Sequence, residues 1–345
     1  MGQLKFWLRH DLGMLLIVIL MFVAPLVYLF ISSRQMVKQE AMNRAESVLS
    51  NTALRVSVYL TEVETASRNI EWIVLDNMQP DSLLIYSRRV VEQNPGINGC
   101  SITTEPNYFP QLGRYFLAYS LREAGKVTTV REGEYEYFDK VWYKSCREAG
   151  HPVWVDPYDD FNEGTLFSSE KIASYSVPLY KADSTFLGII STDISLVKLS
   201  KVIASATPYD HSYCMMTGKK GNFLVYPDDD RLLYHTIFDG VNSRQNPDII
   251  ALGHEMVEGN EGCMTVNMDG SQCLVFYQPV TEAGWSIAIV CPEDSILGVY
   301  NRMGYIFLAL LVAGLTLLIL YNRRVFNRLS LRPHHHENLE LSNAR

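Results

Sequence analysis

Two uncharged apolar runs stand apart from the rest of the sequence. One extends from about Met14 to Ser32 (MLLIVILMFVAPLVYLFIS), the other from about Met303 to Tyr321 (MGYIFLALLVAGLTLLILY). Each is long enough to cross the hydrocarbon core of a bilayer as a helix, which takes about 20 residues. Pro25 in the first run and Gly304 and Gly314 in the second are compatible with that, because neighbouring helices and local adjustment satisfy the backbone. The first run is longer than the apolar core of a signal peptide, and no small-x-small cleavage pattern follows it, so it predicts a retained anchor. The second ends abruptly in Arg323 and Arg324, which argues against a buried core helix.

Between these runs the periodicity changes. From Arg34 to Asn77 there is no Gly or Pro, and Val37, Ala41, Ala45, Val48, Leu49, Leu54, Val56, Leu60 and Val63 recur at helical spacing. This predicts a stalk helix over 34–79 that continues the first span. Its apolar coverage is wide, and fits either packing on its own domain alone or an additional contact with a second copy of the chain.

Residues 80–205 then show strand-like runs at Ile97–Thr103, Phe116–Ser120, Val153–Trp154, Lys171–Pro178 and Phe186–Asp193, separated by Asp-, Gly- and Pro-bearing turns. A helix is expected to begin near Asp193 and run to Ser205. A shorter cycle occupies 206–300. Strands Tyr213–Met216 and Asn222–Tyr226 flank the turn Thr217–Gly221, and a helix follows at Asn246–Glu258. Strands Gly262–Asn267 and Gln272–Pro279 flank Asp269-Gly270, and Trp285–Val290 closes the domain. The expected fold class is α+β: a long N-terminal helix carrying two antiparallel-sheet domains, flanked by two transmembrane helices.

Charge sets the orientation. Lys5 and Arg9 precede the first span, while Arg323, Arg324, Arg328 and Arg332 follow the second, so both termini are expected in the cytoplasm. Arg34 and Lys38 lie on the opposite flank of the first span, but long segments translocate largely regardless of charge. The layout is therefore a cytoplasmic N-terminus (1–13), a first span (14–33), the stalk (34–79), a membrane-distal domain (80–205), a membrane-proximal domain (206–300), a second span (303–321) and a short cytoplasmic tail (322–345). Of 30 Lys/Arg and 38 Asp/Glu, seven and three lie in the two ends, leaving 23 and 35 in the middle, a net charge near −12. So acidic a field disfavours nucleic acid as a partner.

Cys100, Cys146, Cys214, Cys263, Cys273 and Cys291 all fall in the outer region, where disulfides persist; buried free thiols fit equally well, and spacing does not decide. There is no CxxC or zinc pattern, no GxSxG, HExxH or phosphate-loop motif, and no kinase signature. His334-His335-His336 reads as a solvated tail and Asp228-Asp229-Asp230 as a polar turn rather than metal sites. No enzyme, cofactor or metal is expected.

The order of short motifs in the outer region resembles the double Cache domains, the tandem PAS-like sensors of bacterial transmembrane receptors. The distal half carries Tyr135-x-x-Phe138-Asp139-Lys140-Val141-Trp142-Tyr143-Lys144, then Gly150-His151-Pro152-Val153-Trp154-x-x-Pro157-Tyr158-x-Asp160. It continues with Tyr175–Tyr180 and Gly188–Leu196. The proximal half carries Gly218-x-x-Gly221-Asn222-Phe223-Leu224-Val225-Tyr226-Pro227-Asp228 and closes with Gly284–Val290 and Pro292-Glu293. The resemblance covers about residues 34–300 and implies two PAS-like domains on the stalk helix.

The distal half concentrates aromatic side chains and one acid, the mixture a pocket for a small amphiphile needs: apolar walls exclude water and a few polar groups fix orientation. Asp193 suits a ligand ammonium, and Trp142 and the tyrosines offer it cation–π faces. The resemblance implies a ligand set of Tyr135, Lys140, Trp142, Tyr143, Tyr158 and Asp193. The amino-acid-binding members carry Arg where this chain has Lys140, and an ammonium is a point charge rather than a planar fork. Plainer roles fit the same residues: Trp142 and Tyr143 as core, Lys140 as a solvated charge, and Asp193 as a helix N-cap.

The expected function is a transmembrane sensor binding a small extracytoplasmic ligand, such as an amino acid, an amine or a similar metabolite, in the distal domain. The chain is expected to be a homodimer through its stalk and membrane helices. With no output module after the second span, the expectation is a truncated receptor or one that signals through a cytoplasmic partner. The alternative is a membrane-tethered binding or scaffold protein that does not signal.

Overall fold

The computed structural model describes residues 2–158, 165–168, 170–204, 207–228, 231–232, 235–242, 244–268 and 270–330. Asp160, Asp229, Asp230, Asp269 and the tail with Arg332, Pro333 and the three histidines lie outside the described residues. The chain forms two compact units, one of Met1–Glu40 with Ile296–Arg345 and one of Ala41–Ser295.

The larger unit is organised by helix α1 (Gly2–Asn69). The expected apolar pattern resolves into one stripe, with Ala41, Ala45, Leu49, Ala53, Val56, Leu60 and Val63 buried at steps of three and four. Leu54, from the same apolar set, and Val58 stay 62% and 51% exposed. Two helices follow, α2 (Glu71–Asp76) and α3 (Pro80–Gln93). Pro80 starts α3 at a position where its missing N–H costs nothing, and Leu83, Ser87, Val90 and Val91 make its buried face.

The first lobe is a six-stranded antiparallel sheet of β1 (Gly99–Thr104), β2 (Leu117–Glu123), β3 (Lys126–Glu132), β4 (Val153–Tyr158), β5 (Ile172–Tyr180) and β6 (Phe186–Ser195), in the order β3-β2-β1-β6-β5-β4. Helix α4 (Val141–Ala149) precedes β4 and helix α5 (Leu196–Ala204) follows β6. Strand β3 is absent from the sequence reading. Its hairpin closes through Ala124 and Gly125, both at positive φ (47° and 80°), the geometry of a two-residue turn usually announced by Asn-Gly or Asp-Gly. Alanine in that place hides the signal. The helix expected to start near Asp193 starts at Leu196. Asp193 is strand, and the Ser195 hydroxyl accepts from the Lys198 N–H (3.2 Å), so the capping role belongs to Ser195.

The second lobe contains β7 (Tyr213–Thr217), β8 (Phe223–Val225), helix α6 (Pro247–Val257), β9 (Gly262–Met268), β10 (Ser271–Val280) and β11 (Trp285–Pro292). Its sheet order is β8-β7-β11-β10-β9, so the closing strand lies in the middle. Met215, Leu252, Met256, Val266, Val275, Ala288 and Val290 fill one apolar core. Cys100, Cys146 and Cys291 are buried free thiols; Cys214 and Cys273 are also buried and Cys263 is half-buried.

The two lobes meet at β4. The Trp154 and Trp285 rings lie 5.4 Å apart, and Asp156 accepts from the Trp285 indole N–H (2.9 Å) and the Lys219 backbone N–H (3.1 Å). The Lys219 ammonium donates to the Trp154 carbonyl (3.0 Å).

In the smaller unit, helix α7 (Glu293–Ser330) contains Tyr300–Tyr321, with a mean hydropathy of 2.5 and none of the apolar window buried. Among the described residues this is the one segment long and apolar enough to cross a membrane; the other expected span lies within α1. Phe30 stacks on Tyr300 and Phe307 at 5.0 and 6.2 Å. A Cβ at Gly304 would meet the Phe30 ring at 2.5 Å, so that glycine is what admits the ring.

Candidate ligand-binding site

A recess opens over one face of the first sheet. In register across three strands, Ser101 of β1 stands between Tyr119 of β2 and Ser191 of β6. Because side chains alternate along a strand, Leu117 and Tyr119 share this face, as do Ser191 and Asp193. Two serines at the floor, where a core would place larger apolar groups, leave the hollow. Tyr135, Trp142 from α4 and Tyr158 from the end of β4 form aromatic walls, and Glu132, Leu166–Ser168, Glu170 and Ile172 complete the lining. Space not filled by atoms, mouth included, is about 620 Å³. A hollow of this size takes a small ligand.

Asp193 is 5% exposed. A buried carboxylate is costly unless hydrogen-bonded, and here Ser174 Oγ donates to Oδ1 (2.7 Å) and the Tyr119 hydroxyl to Oδ2 (3.2 Å). Tyr158 extends the chain through a 2.9 Å bond to Ser174. A Cβ at Gly99 would lie 2.6 Å from Asp193 Oδ2, so the carboxylate occupies room that any other residue would fill. Glu132 is buried as well; its Oε1 accepts from the N–H groups of Thr165 (2.8 Å) and Leu166 (3.2 Å) and from the Thr165 hydroxyl, which ties this segment beside the pocket. Glu170 accepts from the Ser195 hydroxyl.

Helix α4 buries Trp142, Tyr143 and Cys146 on one face. It ends at Gly150, whose positive φ (70°) permits the left-handed cap, with its N–H bonded to the Cys146 carbonyl (3.1 Å). Tyr143 packs edge-on against Phe138 and donates its hydroxyl to Glu105 (2.6 Å). Burial, and then that carboxylate, hold its ionisation far above the ordinary phenol range. Burial likewise pushes Tyr137, packed between Phe138 and Tyr143, up to about 12. Lys140, at the N-cap of α4, places its ammonium 5.6 Å from the centre of the Tyr135 ring.

Of the residues singled out in the sequence, Tyr135, Trp142, Tyr158 and Asp193 line one recess, while Tyr143 and Lys140 stand outside its lining. The hydroxyl floor and the acids Glu132 and Glu170 escaped sequence reading. The serines carry a signal only as alternate positions of strands whose register is unknown beforehand, and Glu132 sits on the strand hidden by its Ala-Gly turn. Among the described residues no group of three His, Cys, Asp or Glu is placed to hold a metal ion.

Comparison with known proteins adds the family. A model of the Cache domain matches residues 33–299. The chain belongs to the Cache domain family. The chain is similar to the methyl-accepting chemotaxis protein PscA of Pseudomonas syringae pv. tomato, 26% identical over 167 residues, which are 48% of this chain and 24% of PscA. The chain thus spans about a quarter of the length of that relative. Among solved structures, the periplasmic sensory domain of the Campylobacter jejuni chemoreceptor Tlp1 has the same fold (TM-score 0.63, 12% identity, 76% of this chain and 98% of that one). So does the ligand-binding domain of the Pseudomonas aeruginosa amino acid chemoreceptor PctB in complex with L-Arg (TM-score 0.50, 15% identity, 72% and 93%).

Proposed function

We propose that this chain is the sensing part of a two-pass transmembrane receptor, with both termini in the cytoplasm and the Cache region outside. The first lobe is the membrane-distal, ligand-binding one and the second is membrane-proximal. A small metabolite, an amino acid or an amine, occupies the recess and biases the receptor by its differential affinity for two states. The strongest support is the convergence of Tyr135, Trp142 and Tyr158 with the buried, hydroxyl-bonded Asp193 on one hollow in the first lobe. The apolar character of Met14–Ser32 and Tyr300–Tyr321 supports two anchors. Exposed Leu54 and Val58 on α1 support a homodimer through the stalk and membrane helices, with a cytoplasmic signalling module or partner as the output. Strand β4 supplies a route between lobes: Tyr158 lines the recess, and two residues away Asp156 holds Trp285 and Lys219 of the second lobe.

The test is a thermal-shift screen of small metabolites on the detergent-solubilised chain, since a ligand that binds only the native state raises its Tm. Asp193→Asn and Trp142→Phe are expected to remove the shift while circular dichroism stays native. Full retention of the shift in both variants would overturn the site.

A further inference from the structure

The same pocket carries information about the class of its ligand. We propose that it selects a small organic ammonium compound bearing no carboxylate, a mono- or diamine, over an α-amino acid. This rests on the recess being the ligand site.

The lining holds three acids, Glu132, Glu170 and Asp193, and no Lys, Arg or His among the described residues. An α-amino acid brings a carboxylate as well as an ammonium. Buried with these acids and no cation, that carboxylate would lose its hydration and gain only like-charge repulsion. Lys140, Arg122 and Lys198 are placed elsewhere. The Lys140 ammonium rests against the Tyr135 ring, outside the lining. Arg122 and Lys198 line a separate recess that shares Ser168 and Glu170 with this one, so they offset Glu170 from the far side and leave Glu132 and Asp193 to the pocket.

The remaining lining suits an ammonium. Tyr119, Tyr135, Trp142 and Tyr158 present aromatic surface, and cation–π attraction grows when the cation is desolvated. Asp193 already receives two hydroxyl donors and Glu132 Oε1 three donors from the 165–166 segment; both are carboxylates held in place before a ligand arrives. The limited free volume favours a short chain.

The experiment is a thermal-shift and calorimetric comparison on the detergent-solubilised full chain, using putrescine and ethanolamine against L-alanine and L-aspartate. The amines are expected to raise the Tm and the amino acids to leave it unchanged. Asp193→Asn should weaken amine binding by about thirtyfold or more, the cost of stranding a buried charge. Glu132→Gln should weaken it to a similar degree; because Glu132 also ties down a segment, hydrogen exchange at Thr165 and Leu166 checks that the tie survives. Stabilisation by an amino acid and not by the amines, lost in Asp193→Asn, would overturn the ligand class and leave the pocket assignment standing. Amine binding that is unaffected by either acid variant would overturn the proposal, and retention in Trp142→Phe as well would remove the pocket assignment with it.

Discussion

The two lobes are built on the same plan, an antiparallel sheet flanked by helices, and they fill it differently. In the second lobe one face meets a continuous apolar core of Met215, Leu252, Met256, Val266, Val275 and Val290. In the first lobe the strands bury Ser101, Ser120, Ser174, Ser176, Ser191, Thr192 and Asp193. Several of them are hydrogen-bonded to side chains: Ser176 to Ser191 at 2.9 Å, Ser120 to Ser87 of α3 at 2.8 Å, Ser174 to Asp193 at 2.7 Å. A hydrogen-bonded polar interior is tolerated, but it adds less stability than hydrocarbon of the same volume. The contrast teaches that the sheet itself does not make a receptor. Serines at floor positions, where the second lobe has large apolar residues, leave a recess instead of a filled core.

The largest expected effect breaks the second lobe. Val275→Asp places an unpaired charge in its core and is expected to cost on the order of 4 kcal/mol, read as loss of a cooperative transition in urea. The matching change in the first lobe, Ser101→Val, adds volume at the floor and is expected to cost no more than about 1.5 kcal/mol while abolishing the ligand-induced Tm shift. If Ser101→Val kept the shift, the recess would not be where the ligand sits.

Next in size is the joint between the lobes. Asp156→Ala strands the Trp285 indole N–H and the Lys219 amide and is expected to cost about 2 kcal/mol. Its sharper signature is the splitting of one thermal transition into two, with ligand raising only the first-lobe transition. A single transition shifted as in the parent chain would show that β4 does not couple the lobes.

The smallest effect at neutral pH appears only in alkali. Tyr137 and Tyr175, both in the first lobe, are pushed by burial up to about 12 from an ordinary value of 10. Their native forms keep a proton that the unfolded chain releases near pH 10, so their contribution is complete below that pH and is lost as pH rises from 10 to 12. Cys146 in the first lobe and Cys214 and Cys291 in the second, raised by burial to about 12 from 9, act in the same direction from pH 9 upward. A pH titration of near-ultraviolet circular dichroism should therefore show both lobes weakening above pH 9 and the first losing more above pH 10. Tyrosine ionisation complete at pH 10 with the fold intact would contradict the burial of these rings.

By itself the sequence determined the scaffold. Length and lack of charge marked the apolar stretch of α7; three-and-four spacing marked the stalk stripe from Ala41 to Val63; alternation and turn residues marked ten of the eleven described strands and helix α6. These are local patterns, and each is imposed by the period of the backbone on which it sits. The aromatic motif also pointed to Tyr135, Trp142, Tyr158 and Asp193. What only the tertiary structure decided was which of the chosen side chains share a hollow. Tyr143 follows Trp142 directly, and the helical twist of α4 turns it to Glu105 instead of the recess. The serine floor arises from the register of β1 against β2 and β6, and Glu132 enters from a strand whose turn carries no usual signal. Register and helix rotation depend on contacts between residues far apart in the chain, so no local window of sequence contains them.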